Sequence, residues 1–373
     1  MPVSYLYPQY SGIWNISSQA NAKAAGTWPV LGPALFSWGS GTNGALALGN
    51  ITNYSSPKQV GSSKNWLTLA GNYYQTFAIS TSGILWACGG NYNYQLGLGN
   101  TTYYSSLKQV GSASTWSTVV AGRNHTLALR TNGTLWSWGY NAQGQLGNGT
   151  TTNGQNPSQV GALTTWTMMA AGANHSLAIS DGRLYSFGRN NVGQLGLGNL
   201  TDRSSPTQVG ALTNWATIGT GANSSFAIKT DGTLWSWGVG TSGQLGLGNT
   251  TSYSSPKQVG ALTNWSKVIG SPNNGTFALA VKTDGTLWTW GSGVGNSPIQ
   301  VGVATTWSLV AAGWQVALAI QTNGSLWAWG RNLEGQLGLG NTTDYGSPKQ
   351  VGALTTWLNV AGGYYNTRAI ATI

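Results

Sequence analysis

The chain has 373 residues and a formal net charge of +10, yet only 6% of its residues are charged and 40% are hydrophobic. That hydrophobic share excludes an intrinsically disordered chain, and no apolar stretch is long enough to cross a membrane as a helix. Its single cysteine, Cys88, excludes an internal disulfide and a thiolate metal cluster. The basic residues are scattered rather than grouped, which argues against a nucleic-acid site.

The first 33 residues differ from the rest of the chain and carry a single charge. They lack a basic stretch followed by an apolar core, so we do not expect a secretory signal peptide. An uncharged aromatic segment left free in water would adhere to other apolar surfaces. We therefore expect residues 1–33 to form an anchoring arm that packs on the rest of the chain or docks on another protein. The candidate anchoring residues are Tyr5, Tyr7, Tyr10 and Trp14.

From residue 34 onward the sequence repeats, and repeats decide the fold before any other pattern. One marker is the glycine that closes a Trp-x-Trp element or its variants. It occurs at Gly39, Gly89, Gly139, Gly188, Gly238, Gly291 and Gly330. A Gln-Val-Gly triplet and the tryptophan that follows it give the same count, so the chain contains seven units.

One unit, read from Lys108 to Asn148, predicts four strands and a loop. The extended run LKQVG comes first, WSTVVAG and HTLALRT alternate polar and apolar residues, and TLWSWG follows a tight turn. We expect a two-residue type I′ turn at Asn132-Gly133 and at its counterparts, such as Asp181-Gly182. The glycine-rich loop NAQGQLGNGTTT ends the unit. We expect leucines in these loops, among them Leu96 and Leu146, to pack between neighbouring units.

Seven four-stranded units predict an all-β, seven-bladed β-propeller. The strand at 368–373 lacks a following partner, and the strand at 34–39 lacks a preceding one. Only a closed ring lets these two strands pair. We therefore predict a single propeller over residues 34–373, closed by pairing 34–39 with 368–373.

These motifs resemble the repeat of the regulator of chromosome condensation family. The resemblance rests on the TLWSWG strand, the GQLGLGN loop, the Gln-Val-Gly triplet and the HTLAL strand, and covers residues 34–373. It implies a seven-bladed propeller, and it also implies guanine-nucleotide exchange on a small nuclear GTPase together with chromatin binding. The sixth unit departs from the pattern, because SGVGNSPIQVG follows Gly291 without the GQLGLGN loop.

The family's exchange activity goes with acidic residues on one face, an inserted β-wedge and a basic N-terminal tail. This chain has only six acidic residues, no insertion of wedge length and a nearly uncharged arm. We therefore expect this chain to share the propeller architecture of the family, and we keep nucleotide exchange or chromatin binding as an alternative function.

Catalytic and cofactor chemistry find little support in the sequence. Asp181, Asp231 and Asp284 occupy hairpin turns of different units, so we expect them to cap their own turns. His125 and His175 occupy one repeat position, which offers too few ligands for a metal. The glycine-rich loops lack the Lys-Ser/Thr of a phosphate-binding loop. We expect no enzyme activity, no cofactor and no metal.

The loops that differ between units are rich in Tyr, Ser, Asn and Gly, a composition typical of recognition loops. The candidate partner-binding residues are Tyr73, Tyr74, His125, His175, Trp314, Tyr364 and Tyr365.

Together these features favour a non-enzymatic structural, adhesion or protein-interaction module. By analogy of composition we expect it on a phage or virion surface, with residues 1–33 bound to a capsid, neck or tail protein, and otherwise in the cytoplasm. The first alternative is an exchange factor or chromatin adaptor. The second is a lectin-like protein whose loops contact a glycan or host surface.

Overall fold

The computed structural model describes residues 31–272 and 276–373. The four candidate anchoring residues Tyr5, Tyr7, Tyr10 and Trp14 lie outside these ranges, so the anchoring arm stays a prediction. In the described ranges the repeats form seven four-stranded antiparallel sheets, as predicted. We number these blades along the chain, and strands β1 to β28 in sequence order.

Blade 1 contains β3 (Trp66–Asn72), β4 (Gln75–Ser80), β5 (Leu85–Gly89) and β6 (Tyr104–Gln109). Blade 2 contains β7 (Trp116–Ala121), β8 (His125–Arg130), β9 (Leu135–Gly139) and β10 (Gly154–Gln159). Blade 3 contains β11 (Trp166–Ala171), β12 (His175–Ser180), β13 (Arg183–Gly188) and β14 (Arg203–Gln208). Blade 4 contains β15 (Trp215–Thr220), β16 (Ser224–Lys229), β17 (Leu234–Gly238) and β18 (Tyr253–Gln258).

Blade 5 contains β19 (Trp265–Gly270), β20 (Phe277–Lys282), β21 (Leu287–Gly291) and β22 (Gly295–Gln300). Blade 6 contains β23 (Trp307–Gly313), β24 (Val316–Gln321), β25 (Leu326–Gly330) and β26 (Tyr345–Gln350). Blade 7 combines β27 (Trp357–Gly362) and β28 (Asn366–Thr372) with β1 (Pro33–Gly39) and β2 (Tyr54–Gln59). A short 3₁₀ turn, Thr42–Gly44, follows β1.

The ring closes by the predicted pairing. Strand β1 pairs with β28 along its whole length, from Pro33 opposite Thr372 to Gly39 opposite Asn366. The N-terminal part of the chain also supplies β2, so it contributes two strands of blade 7 rather than the one expected.

The predicted unit does not correspond to one blade, because its first strand belongs to the preceding blade. The run that contains Lys108 is the outermost strand of blade 1, where Lys108 lies opposite Ala87, and is not the first strand of blade 2. The long loop after Gly89 folds back so that Tyr104 pairs with Gly89 itself. Each blade therefore begins with the strand that starts at a buried tryptophan, and this strand lines the central channel.

The hairpin turns also differ from the expectation. At Asn132-Gly133 only the glycine has a positive φ, of 74°, and its N–H donates to the carbonyl of Arg130. This is a three-residue loop, in which a type I turn is followed by one left-handed residue. The predicted two-residue turn occurs at Asp181-Gly182, where both residues have positive φ and Ser180 pairs with Arg183.

Neighbouring blades are joined by the second tryptophan of the Trp-x-Trp element and by the loop leucine. In blade 2, Trp138 is fully buried, and its Nε1 donates to the carbonyl of Gln95 in the loop of blade 1 at 2.9 Å. Leu96 packs in the same cluster as Phe77 of blade 1 and Trp116 of blade 2. The expectation that loop leucines pack between blades is confirmed.

The channel at the centre of the ring has a volume of about 300 Å³. Small and apolar residues of the innermost strands line it, including Ala70, Val120, Gly219 and Ala311. One end of this channel opens among the turns that join the first and second strands of each blade, and the candidate site lies there.

Candidate functional site

Five of the predicted binding residues come together on the face where these inner turns emerge. Tyr73 and Tyr74 lie in the turn of blade 1, Trp314 in the turn of blade 6, and Tyr364 and Tyr365 in the turn of blade 7. Ring closure places blade 7 between blades 6 and 1, so residues from both halves of the sequence meet. We call these five residues the aromatic cluster.

Tyr364 is at the centre of the aromatic cluster. Its ring stacks on that of Trp314 with centroids 4.7 Å apart and an interplanar angle of 21°. The centroids of Tyr365 and Tyr73 lie 4.2 Å and 4.9 Å from it, and Tyr73 also contacts Tyr74 at 4.5 Å. Offset and edge contacts of this kind each contribute about 0.5–1.5 kcal/mol beyond burial. The rings are therefore held in position although they are only half-buried.

Two arginines flank the aromatic cluster. The Cζ atom of Arg331 lies 4.8 Å from the ring centroid of Trp314, and that of Arg123 lies 5.1 Å from the ring centroid of Tyr73. Each is within the distance at which a guanidinium is attracted by a ring face. The Nε atoms of both arginines are buried, and no residue in the described part of the chain accepts a hydrogen bond from them. The cluster is thus an aromatic surface with a positive charge on each side.

The phenols of Tyr74 and Tyr364 stay protonated at neutral pH. Burial, reinforced by Tyr73, raises the pKa of Tyr74, and burial together with a hydrogen bond to Tyr365 raises the pKa of Tyr364. Burial also raises the pKa of the nearby Tyr92 to about 12, and its hydroxyl donates to Asn124 Oδ1 at 2.9 Å. Neutral hydroxyls can donate and accept hydrogen bonds, so they suit a polar partner surface.

His125 and His175 do not belong to this surface, which corrects their assignment as candidate contact residues. Only 1% of His125 and none of His175 is exposed. Their Nε2 atoms lie 3.0 Å and 2.9 Å from the hydroxyls of Ser176 and Ser225 in the next blade. Burial lowers the pKa of each to about 3. They are neutral residues that join blades, not loop residues that can touch a partner.

Arg123 and Arg331 are the site residues that sequence reasoning missed. Arg123 stands two residues before the start of β8, just as Tyr73 stands two residues before β4 and Tyr364 two before β28. For Arg123, that shared repeat position was the available signal. It was missed because Arg123 was counted among the basic residues scattered along the chain.

Two of the three turn aspartates, Asp231 and Asp284, cap their own turns as expected, whereas Asp181 accepts a hydrogen bond from Thr165 Oγ1 at 3.1 Å. Asp231 Oδ1 accepts hydrogen bonds from the N–H and the hydroxyl of Thr233, and these bonds lower the pKa of Asp231. Asp284 does the same with Thr286. Among the residues that the structure describes, no three His, Cys, Asp or Glu side chains are grouped closely enough to hold a metal ion.

Comparison with protein families matched one kind of repeat over most of the chain. The model described as "Regulator of chromosome condensation (RCC1) repeat" matches residues 34–79, 82–129, 132–179, 181–228, 231–278 and 323–370. A second model of the same description matches residues 116–145 and 307–336. Comparison with curated protein sequences gave no match. In the described ranges, 31–272 and 276–373, no helix is long and apolar enough to cross a membrane.

Solved structures share the fold. Human WBSCR16 is 22% identical, with a TM-score of 0.81, over 91% of this chain and 98% of that one. Prp20p of Saccharomyces cerevisiae, reported with its binding to Gsp1p and histones, is 21% identical, with a TM-score of 0.81, over 92% of both chains. Yeast RCC1 (Prp20) bound to Kap60 is 21% identical, with a TM-score of 0.79, over 92% of this chain and 89% of that one. At this identity the likeness concerns the fold.

Proposed function

Because the chain belongs to the regulator of chromosome condensation (RCC1) repeat family, we propose that it is a non-enzymatic protein-interaction module. In this proposal the partner binds the aromatic cluster with its flanking Arg123 and Arg331. The observation that carries it is the meeting of five aromatic residues from three blades at one mouth of the channel.

Residue type and rigidity both support this surface. Tyr, Trp and Arg are the residues that most often dominate the energy of protein interfaces. The rings of the cluster already contact one another, so binding would order few side chains and lose little entropy. An exposed glycine-rich loop would not offer that advantage.

The charge of the surface indicates an acidic partner. Arg123 and Arg331 lie at the cluster, and the whole chain carries a formal charge of +10. Complementary charge speeds encounter and selects partners. Glu334 is the acidic residue that influences the cluster, through Tyr74, and it accepts a hydrogen bond from Asn53 Nδ2 at 2.7 Å.

A glycan-binding role is less well supported by the same geometry. A sugar would stack on an open ring face, whereas Trp314 already has Tyr364 stacked on it and Arg331 near its centroid. The contacts between the rings favour a protein partner over a sugar.

The test is a comparison of captured partners. A variant with Tyr73→Ala, Trp314→Ala and Tyr364→Ala is compared by proximity labelling in the native host with the wild type. The matched control carries Leu212→Ala, Leu262→Ala and Val303→Ala, three exposed apolar residues in the loops that lead to β15, β19 and β23. Proteins labelled by wild type and control but lost from the aromatic variant support the proposal. An unchanged set contradicts it.

A second candidate is nucleotide exchange on a small GTPase, or histone binding. Family membership over most of the chain favours it, as does the likeness to Prp20p, whose structure was reported with Gsp1p and histone binding. The comparisons favour this alternative over a structural or adhesion role on a phage or virion. No finding supports display on a particle or a capsid or tail partner, and we do not propose them further.

Exchange is measured by the release of a fluorescent GDP analogue from a small GTPase, with the propeller added in catalytic amounts. Release accelerated by the wild type and not by the aromatic variant would identify the partner class. Release at the intrinsic rate would contradict exchange activity and would favour the first candidate, a protein-interaction module without it.

A further inference from the structure

The junction between blades 5 and 6 lacks an element that is present at the other junctions. In blade 5, residues 292–294 join β21 to β22, whereas residues 239–252 make the same connection in blade 4. A cavity of about 410 Å³ lies where the missing loop would pack. Its walls combine the apolar residues Phe277, Val294, Ala317 and Trp329 with polar and charged ones, among them Gln315, Arg331 and Asp344. We call it the open junction.

At the other junctions this loop makes three kinds of contact with the next blade. The loop of blade 4, which packs against blade 5, makes all three. Leu245 is fully buried between the blades. The carbonyl of Gln244 accepts a hydrogen bond from Trp290 Nε1 at 2.9 Å. The N–H of Gly248 donates to the carbonyl of Asn296 in the outermost strand at 2.8 Å.

The last of these bonds recurs at six junctions. The donors and acceptors are Gly49 to Ser105, Gly99 to Gln155, Gly149 to Ser204, Gly198 to Ser254, Gly248 to Asn296 and Gly340 to Ser55. The corresponding acceptor in blade 6 is the carbonyl of Gly346, which follows Tyr345 as Ser254 follows Tyr253. A Cβ built on Gly346 would meet no atom of the described residues within 4 Å, so space is open beside it.

The tryptophan at the open junction, Trp329, differs from its counterparts in its exposure and in its hydrogen bonding. Trp38, Trp138, Trp237 and Trp290 are each 0% exposed, whereas Trp329 is 8% exposed. Each of those four donates its Nε1 hydrogen to a glutamine carbonyl of the preceding blade. Among the described residues, the Nε1 of Trp329 has no hydrogen-bond acceptor. An indole N–H at the wall of a cavity, without a protein acceptor, is a group that a ligand can satisfy.

We propose that the open junction binds a protein segment that supplies the missing loop from another molecule. The segment is a glycine-containing turn with a leucine-sized aliphatic side chain for the cavity. Its backbone offers a carbonyl to Trp329 Nε1 and an N–H to the carbonyl of Gly346. The chain itself defines this chemistry, since the other loops fill equivalent cavities with it. The site is distinct from the aromatic cluster, although Arg331 borders both.

The probe is a cyclised peptide with the sequence of residues 239–252, VGTSGQLGLGNTTS, whose ends are linked to mimic the two strands. Its control replaces the leucine that corresponds to Leu245 by aspartate. Binding is followed by titration calorimetry and by the indole N–H resonances of the folded protein, with Trp329 assigned from a Trp329→Phe variant. We expect saturable binding, a shift of the Trp329 resonance, and no binding of the aspartate control.

Two protein variants complete the test. Replacing residues 292–294 by the sequence of residues 239–252 fills the cavity from within and should abolish peptide binding while raising the melting temperature. If that graft does not fold, Trp329→Phe should still weaken peptide binding by about fivefold, the effect of one lost hydrogen bond. Absence of binding to the wild type, equal binding of the control peptide, or equal binding to the folded graft would each overturn the proposal.

Discussion

Tyr364 of blade 7 stacks on Trp314 of blade 6, and the same tyrosine contacts Tyr73 of blade 1. One side chain therefore links the rings of three blades across the seam of the propeller. The first prediction concerns this residue.

Replacing Tyr364 by alanine removes the central ring of the aromatic cluster. Because interface hot spots of this type contribute about 2 kcal/mol or more, we expect partner affinity to fall by at least about 30-fold. The affinity is measured by titration calorimetry with the captured partner. Leu262→Ala, in the loop between β18 and β19, is the control and should bind like the wild type. Wild-type affinity in the Tyr364 variant would place the partner elsewhere.

The two buried histidines should make the fold sensitive to mild acid. Their pKa values are lowered to about 3 in the folded state by burial, and are about 6.5 when unfolded. Between these values the unfolded chain binds more protons, so stability falls as pH decreases through this window and is fully present above pH 6.5. We expect each histidine to remove about 1–2 kcal/mol of unfolding free energy between pH 7 and pH 5.

Urea unfolding at pH 7 and pH 5 measures this difference. A His125→Gln and His175→Gln double variant is the control, because glutamine can still reach the neighbouring serine and does not titrate. An equal loss of stability in the variant would show that other groups cause the acid sensitivity.

Arg368 is a buried cation at a position where other blades carry an apolar residue. It is fully buried in β28, and Leu127 of β8 and Phe77 of β4 occupy the equivalent positions. Its Nε donates to Thr76 Oγ1, but its two terminal nitrogens have no partner within residues 31–272 and 276–373, and burial lowers its pKa to about 10. Replacing a poorly paired buried charge by a well-packed apolar residue commonly stabilises a protein by about 1–4 kcal/mol.

We therefore expect Arg368→Leu to raise the free energy of unfolding, measured by chemical denaturation. Arg368→Ala is the comparison, because it removes the charge but leaves a cavity and should gain less. A less stable leucine variant would mean that the bond to Thr76 outweighs the cost of burying the charge.

Blade 3 carries Phe187 where blade 2 carries Trp138, and this difference provides a reciprocal test. Trp138 donates to the carbonyl of Gln95, whereas the carbonyl of Gln145 accepts a hydrogen bond from the hydroxyl of Ser176 and the side chain of Phe187 has no N–H to donate. Trp138→Phe should lower stability by about 1 kcal/mol, and Phe187→Trp should raise it by a similar amount. Thermal unfolding of the two single variants measures both changes in stability. Two changes of the same sign would contradict this account of the junctions.

Much of the fold could be predicted because its signals are local and repeated. Alternating strands and the incomplete units at residues 34–39 and 368–373 were enough to predict seven blades and their closure. The strand of Lys108 was assigned to the wrong blade because an extended run does not show whether it pairs before or after its loop. Turn type failed at Asn132-Gly133 because the same dipeptide serves loops of two and three residues.

The candidate site could be predicted only as separate residues. Tyr73 and Tyr364 were both named from loop composition, but their contact depends on blade 7 lying beside blade 1. His125 was named with them because a repeat position alone does not distinguish a turn from the first residue of a buried strand. The missing loop after Gly291 was visible in the sequence, but the cavity that it leaves beside Trp329 depends on how blades 5 and 6 pack.

The seam between β1 and β28 sets the order in which the molecule can be completed during synthesis. Ser40, just after β1, and Asn366, at the start of β28, are hydrogen-bonded but 326 positions apart in the chain. At about 5–20 residues per second, a ribosome needs on the order of tens of seconds to make the chain between them. During that time the edge of β1 has no native partner and is open to pairing with other chains. Closure of the ring thus acts as a checkpoint, since a nascent chain that stops before β28 cannot complete blade 7.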